Sequence, residues 1–140
     1  MSFKKGDKKV IKAWVMYDWA NSVYPLVITT AIFPLFYKSK VGSDSIVFGR
    51  QFDSVEIYSY AIAISLLIVS FVSPILSGIA DFSGSKKVFM RLFNYIGAGA
   101  CVSLFFWDYY PVEVGLAFCM MANVGFWGSV VFYNAYLPEI

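Results

Sequence analysis

Ile57–Ala80 reads IYSYAIAISLLIVSFVSPILSGIA, 24 residues without a single charge. About 20 apolar residues, rising ~1.5 Å each in a helix, cross the hydrocarbon layer of a bilayer. Three further stretches, Ala13–Tyr37, Val88–Trp107 and Val114–Leu137, have the same character. The chain has eleven basic and nine acidic residues, and only Asp18 and Arg91 fall inside these four stretches. Overall it is 59% hydrophobic and 14% charged, whereas soluble domains carry about 25% charged residues. A soluble fold of this size cannot hide so much apolar surface. The sequence predicts an all-α membrane protein, a single transmembrane domain of four helices at 13–37, 57–80, 88–107 and 114–137.

The composition excludes several functions. There is no histidine, so the commonest side-chain acid, base and metal ligand is missing. Cys101 and Cys119 lie inside apolar spans without a C-x-x-C partner and read as small hydrophobes. No metal, cofactor or nucleophile–base constellation can be assembled, which argues against an enzyme. A net charge of +2, concentrated at the N-terminus, argues against nucleic acid. The first apolar run is longer than the roughly 7–15 residues of a signal-peptide core. It also carries Asp18 and Asn21, so it reads as a retained first helix.

Between the first two spans lies Lys38–Glu56, read as a polar loop with Gly42, Ser43 and Gly49. Phe82–Lys87 is a short turn on Ser83-Gly84-Ser85, and Asp108–Pro111 reverses the chain again. Lys4, Lys5, Lys8, Lys9 and Lys12 precede the first span, and Lys86, Lys87 and Arg91 surround the second turn. Only Lys38, Lys40 and Arg50 lie on the opposite side. The positive-inside rule therefore puts the N-terminus, the Phe82–Lys87 turn and the C-terminus in the cytoplasm. Trp14 and Trp19 near the inner edge, and Tyr37, Tyr58, Tyr60, Trp107, Tyr109 and Tyr110 near the outer one, suit the headgroup layer.

At about 100° per residue, Asp18, Asn21, Ser22, Pro25 and Thr29 share a face of the first helix, opposite Val15, Trp19, Val23 and Val27. A carboxylate facing lipid costs about 2.5–3.5 kcal/mol even on a lenient scale. The stripe must face protein or a water-filled cavity. Two roles fit Asp18: a group that lines or gates a cavity, or an interfacial residue paired with a base such as Lys12. Pro25 frees a backbone carbonyl and can kink the helix. Ser73 and Ser77, Gly97 and Gly99, and Gly125, Gly128 and Ser129 suit close helix packing. Asn123, Trp127, Val130 and Asn134 share a face of the fourth helix, where interhelical hydrogen bonding and ligand contact are equally open to the asparagines.

Three segments carry a family resemblance. Ser77-Gly78-Ile79-Ala80-Asp81-Phe82-Ser83-Gly84-Ser85-Lys86-Lys87 resembles the G-x-x-x-D-R-x-G-R-K loop between helices two and three of the major facilitator superfamily. Asp81, Gly84, Lys86 and Lys87 fall where that motif has its acid, turn glycine and bases, while Ser77, Phe82 and Ser85 depart from it. Tyr17-Asp18-Trp19-Ala20-Asn21-Ser22 resembles the Y-D-W-A-N-S opening of the vacuole effluxer branch, followed by Thr30-Ala31-Ile32-Phe33-Pro34 with its T-x-x-F-P character. Phe132-Tyr133-Asn134-Ala135-Tyr136-Leu137-Pro138-Glu139 is similar to that branch's F-Y-N-A-x-L-P segment after helix four.

The resemblance implies a secondary transporter of about twelve helices in two halves, exposing a midplane site alternately to either side. This chain then reads as the first part of a major facilitator bundle, its partners being the lipid bilayer, a small-molecule solute and the remaining helices of a longer chain. It implies a multi-pass protein, here of a bacterial inner membrane, and amino acids as solute by analogy with fungal vacuolar exporters. Asp18, Asn21, Ser22, Asn123 and Asn134 become candidates to line or gate the cavity. Asp81, Gly84, Lys86 and Lys87 become a conformational latch. No arginine stands in helix four, so proton coupling of the kind that uses one is not implied. The rival reading is a self-contained four-helix assembly or accessory protein.

Overall fold

The computed structural model describes residues 6–135. Lys4, Lys5 and the Tyr136-Leu137-Pro138-Glu139 end of the last motif lie outside the described residues. Four helical segments, Lys8–Val41, Ser54–Ser83, Lys86–Phe105 and Val112–Ala135, are long and apolar enough to cross a membrane. The protein is an integral multi-pass membrane protein with a helical bundle fold. The second segment, α3 (Ser54–Ser83), outruns its apolar core by about a turn at each end. Hydropathy marks only the hydrocarbon-embedded part, whereas the helix continues through the headgroup layer to its caps. Asp53 caps it, its carboxylate accepting from the Val55 N–H at 2.8 Å, with Glu56 in the first turn favoured by the helix dipole. It ends at Gly84, whose φ of +64° is the left-handed conformation that glycine adopts without a Cβ clash.

The first span departs from the expected single helix. It comprises α1 (Lys8–Asn21), a π-helical turn over Pro25–Thr30, and α2 (Ile32–Val41). Pro25 and Pro34 supply no N–H for the carbonyls four residues earlier, Asn21 and Thr30, so the regular ladder fails twice within ten residues. The chain relaxes by widening one turn. The Ala31 N–H reaches back five residues to the Leu26 carbonyl at 3.0 Å. Side chains take up loosened carbonyls: the Thr30 hydroxyl donates to the Pro25 carbonyl at 2.9 Å. From α3, the Tyr58 hydroxyl donates to the Ile28 carbonyl at 3.0 Å.

The expected polar loop Lys38–Glu56 contains a β-hairpin, β1 (Asp44–Val47) paired antiparallel with β2 (Arg50–Asp53), in register Asp44 to Asp53 and Val47 to Arg50. Phe48 and Gly49 form its two-residue turn, both with positive φ (50° and 77°), as twist-matched hairpin turns require. The apolar run Ile46-Val47-Phe48 before Gly49 was the signal for it. Val47 is buried with Phe33, Tyr37, Tyr58, Trp107 and Leu116, so the hairpin closes one end of the bundle over an aromatic core. There the Ser54 hydroxyl donates to the Gly42 carbonyl at 2.6 Å, and Lys40 pairs with Asp108.

The last helix, α5 (Val112–Ala135), is the axis of the bundle. It packs on α3 and on α4 (Lys86–Phe105), and Cys119 and Ala122 are wholly buried on it. Its glycines set the spacing. A Cβ on Gly125 would lie 2.5 Å from the Gly97 Cα, so the backbones of α4 and α5 touch there. Small residues at such crossings let helices gain van der Waals contact that lipid cannot replace. By contrast, α1 has no fully buried residue.

Candidate functional site

The stripe read on the first helix is divided in the structure. Val10, Trp14, Tyr17, Asn21 and Tyr24, at helical spacing, are half-buried. Three of these rings meet α5. Trp14 stacks on Tyr133 with centroids 4.7 Å apart, Tyr17 lies 5.0 Å from the same ring, and Tyr24 stacks on Phe126 at 4.3 Å. Asp18 and Ser22 sit at the edge of this seam and are exposed, with the Ser22 hydroxyl donating to the Asp18 carbonyl at 3.0 Å. The Tyr133 hydroxyl donates to the Trp14 carbonyl at 3.3 Å and lies beside the Asp18 carboxylate. Asp18 is therefore joined to the C-terminal third of α5.

Asn123 and Asn134, expected on one face of α5, have different surroundings. Asn123 is 1% exposed. Its amide donates to the Cys119 carbonyl at 3.1 Å, and its side-chain oxygen is buried without a hydrogen-bond partner. Asn134 is exposed. Ten residues of helix, about 15 Å, separate Asn123 from Tyr133, so the structure joins Asp18 to the Tyr133 end and leaves Asn123 a separate buried group. Tyr133, Trp14 and Tyr17 are contacts that the polar-stripe reading missed. All three belong to or flank the motif segments, but aromatic residues are too common in this chain for position alone to single them out.

The turn between α3 and α4 brings its acid and one base together. Lys86 Nζ is 2.8 Å from Asp81 Oδ1 and 3.5 Å from the Ala135 carbonyl at the end of α5. One ammonium thus links the ends of three helices, and it meets the partial negative charge of the α5 C-terminus. Gly84 makes the turn possible, and the Ser85 hydroxyl donates to the Ser83 carbonyl at 3.2 Å. Lys87 lies exposed on the first turn of α4. Lys86 is the more enclosed partner, its side chain 17% exposed against 62% for Asp81.

The family profile described as "Vacuole effluxer Atg22 like" matches residues 6–140. The "Uncharacterized MFS-type transporter YxiO" of Bacillus subtilis (strain 168) is 42% identical over 128 residues, which cover 91% of this chain and 29% of that protein. The chain thus spans under a third of the length of this curated relative. No solved structure matches the chain.

Proposed function

This chain belongs to the vacuole effluxer Atg22-like family, and from that membership we propose that it forms part of a secondary transporter moving a small solute, in particular an amino acid, across a bacterial inner membrane by alternating access. Its partners in that role are the lipid bilayer, the solute and further helices of a longer chain. The N-terminus and the α3–α4 turn lie on the cytoplasmic side. Asp18, with Asn21 and Ser22, lines or gates the cytoplasmic end of the path, Asn134 lies at the same end, and Asn123 supplies a polar group deeper in. Asp81, Gly84, Lys86 and Lys87 form the latch that holds one conformation.

The observation that carries this reading is the convergence of the family segments. The first helix's Asp18 meets Tyr133 of the last segment, and Lys86 of the turn reaches Ala135 just beyond it. A movement of α1 against α5 would therefore disturb the first contact, and a movement of α4 against α5 the second. A carboxylate at the edge of an aromatic seam attracts a cationic amine, and the flanking ring faces add to that attraction. The test is uptake and counterflow of labelled amino acids by the full-length protein in proteoliposomes. Saturable counterflow that falls at least tenfold in Asp18→Asn, with unchanged insertion, supports the assignment. Equal rates in liposomes with and without the protein, across neutral, basic and acidic amino acids, would remove amino acids as the solute.

A further inference from the structure

The hairpin that closes one end of the bundle finishes in a residue that its own packing does not explain. Phe48 holds the first position of the two-residue turn at φ +50° and is 90% exposed. A left-handed φ at such a turn favours glycine, asparagine or aspartate. A ring so exposed gains little packing to offset the strain. Strain at a large apolar side chain with so little cover points to a contact outside the described residues.

The hairpin is held firmly. At its base the Ser54 hydroxyl donates to the Gly42 carbonyl at 2.6 Å and the Ser54 N–H to the Ser43 carbonyl at 3.1 Å. Val47 fixes its middle, buried in the cluster that includes Tyr37, Tyr58 and Trp107. β1 also packs on α5, so the hairpin lies across the bundle end instead of rising off it. Four strand residues extend about 13 Å, more than the roughly 10 Å width of a helix. The tip therefore reaches the rim away from its base.

The register sorts the side chains near that rim. Val47 pairs with Arg50 and Ile46 with Gln51. Directly opposed residues share a face and successive ones alternate. Arg50 therefore lies on the inward face with buried Val47, while Ile46 and Gln51 lie on the outward one. Arg50 is nonetheless exposed, which places it over the edge of the bundle on the side toward the bilayer. It makes no ion pair among the described residues. Tyr37, Tyr58 and Trp107 set the depth, since such rings settle in the headgroup layer. An apolar ring and an unpaired guanidinium side by side at that depth match a phospholipid interface, which offers acyl chains on one side and phosphates on the other.

We propose that the hairpin tip is a lipid anchor: the Phe48 ring enters the headgroup layer beside the bundle, and the Arg50 guanidinium holds a phospholipid phosphate. The contact fixes the connection between α2 and α3 against the leaflet at that end, whatever solute the protein carries.

The experiment places a small environment-sensitive fluorophore on Phe48→Cys or on Gln51→Cys. The background is full-length protein without other cysteines, in phosphatidylcholine nanodiscs. Both positions are exposed, so neither label disturbs the core. A nitroxide on the lipid headgroup should quench the label at Phe48→Cys roughly threefold, and iodide in the buffer should leave it bright. The label at Gln51→Cys, on the outward face, should show the reverse. Arg50→Glu sets a carboxylate against the phosphate and should roughly halve the lipid quenching at Phe48→Cys. Equal lipid quenching at the two positions would mean that the fluorophore, not the tip, seeks the membrane. Iodide access at Phe48→Cys would put the tip in water. A blue-shifted label that neither quencher reaches would put it under further helices of the chain. Each of these results overturns the proposal, as does lipid quenching indifferent to Arg50→Glu.

Discussion

Tyr133 clasps Trp14: the two rings stack at 4.7 Å with planes 11° apart, and the Tyr133 hydroxyl donates to the Trp14 carbonyl at 3.3 Å. The clasp matters because α1 has no fully buried residue, whereas α2 buries Phe33 and Tyr37 in the aromatic core. The N-terminal half of the first span is held mainly by this ring and by Tyr24 on Phe126.

Tyr133→Phe keeps the stack and removes the hydroxyl, and should cost about 0.5–1.5 kcal/mol of stability. Tyr133→Ala removes the ring. Lipid already solvates an apolar surface, so the transfer part of the usual penalty is reduced and about 1–3 kcal/mol of lost packing is expected. Denaturant unfolding in mixed micelles checks the order, alanine worse than phenylalanine. Equal effects would show that the stack contributes nothing.

In the turn, Lys86 should matter more than Asp81. The charge-assisted bond between them is worth about 1.5–3 kcal/mol when enclosed, but Asp81 is largely exposed and solvent screening brings the pair to about 1 kcal/mol. Lys86 additionally holds the Ala135 carbonyl. Lys86→Gln should therefore slow counterflow by the full-length protein more than Asp81→Asn, whose effect should be about fivefold, each at normal protein abundance. Wild-type kinetics in both variants would leave the turn with a capping role alone.

Gly125 and Gly99 provide a matched pair. A methyl group on Gly125 meets the Gly97 backbone at 2.5 Å, while one on Gly99 meets nothing within 4 Å. Gly125→Ala must push α4 off α5 and should cost about 1–3 kcal/mol. Gly99→Ala should fall within about 0.5 kcal/mol of the native protein. Thermal unfolding in detergent measures both, and a neutral Gly125→Ala would contradict the close helix crossing.

With Cys101 and Cys119 replaced, Asp18→Cys and Ser22→Cys should react with a small thiol reagent that needs water. Val23→Cys, on the apolar face opposite the stripe, should not. Equal protection of all three would end the cavity reading of this helix.

Cysteines at Ser43 and Ser85 in the same background should label from opposite sides of the membrane, Ser43 from outside. Labelling of both from one side would require a different number of crossings between them.

The span count and the family were legible in the sequence because each is a local or linear property. The bilayer imposes a length rule on apolar runs, and a motif is a string. The turn motif was legible too, since Asp81 and Lys86 are five residues apart with Gly84 between them. The hairpin was missed because Lys38–Glu56 was judged by its polarity. Its alternating strands acquire an inside only when Val47 meets an aromatic core assembled from four other segments. The break in the first span was half legible: Pro25 announced a lost hydrogen bond, but whether the helix kinks, unwinds or widens depends on what satisfies the freed carbonyls. Tyr58, thirty residues away from Ile28, decides that. The same holds for the face that α1 turns to the bundle. Lipid and protein interior are both apolar, so hydrophobic patterning cannot say which rings face a neighbour. Only the antiparallel approach of α5 selected Trp14, Tyr17 and Tyr24 for contact and left Asp18 at the edge of the seam.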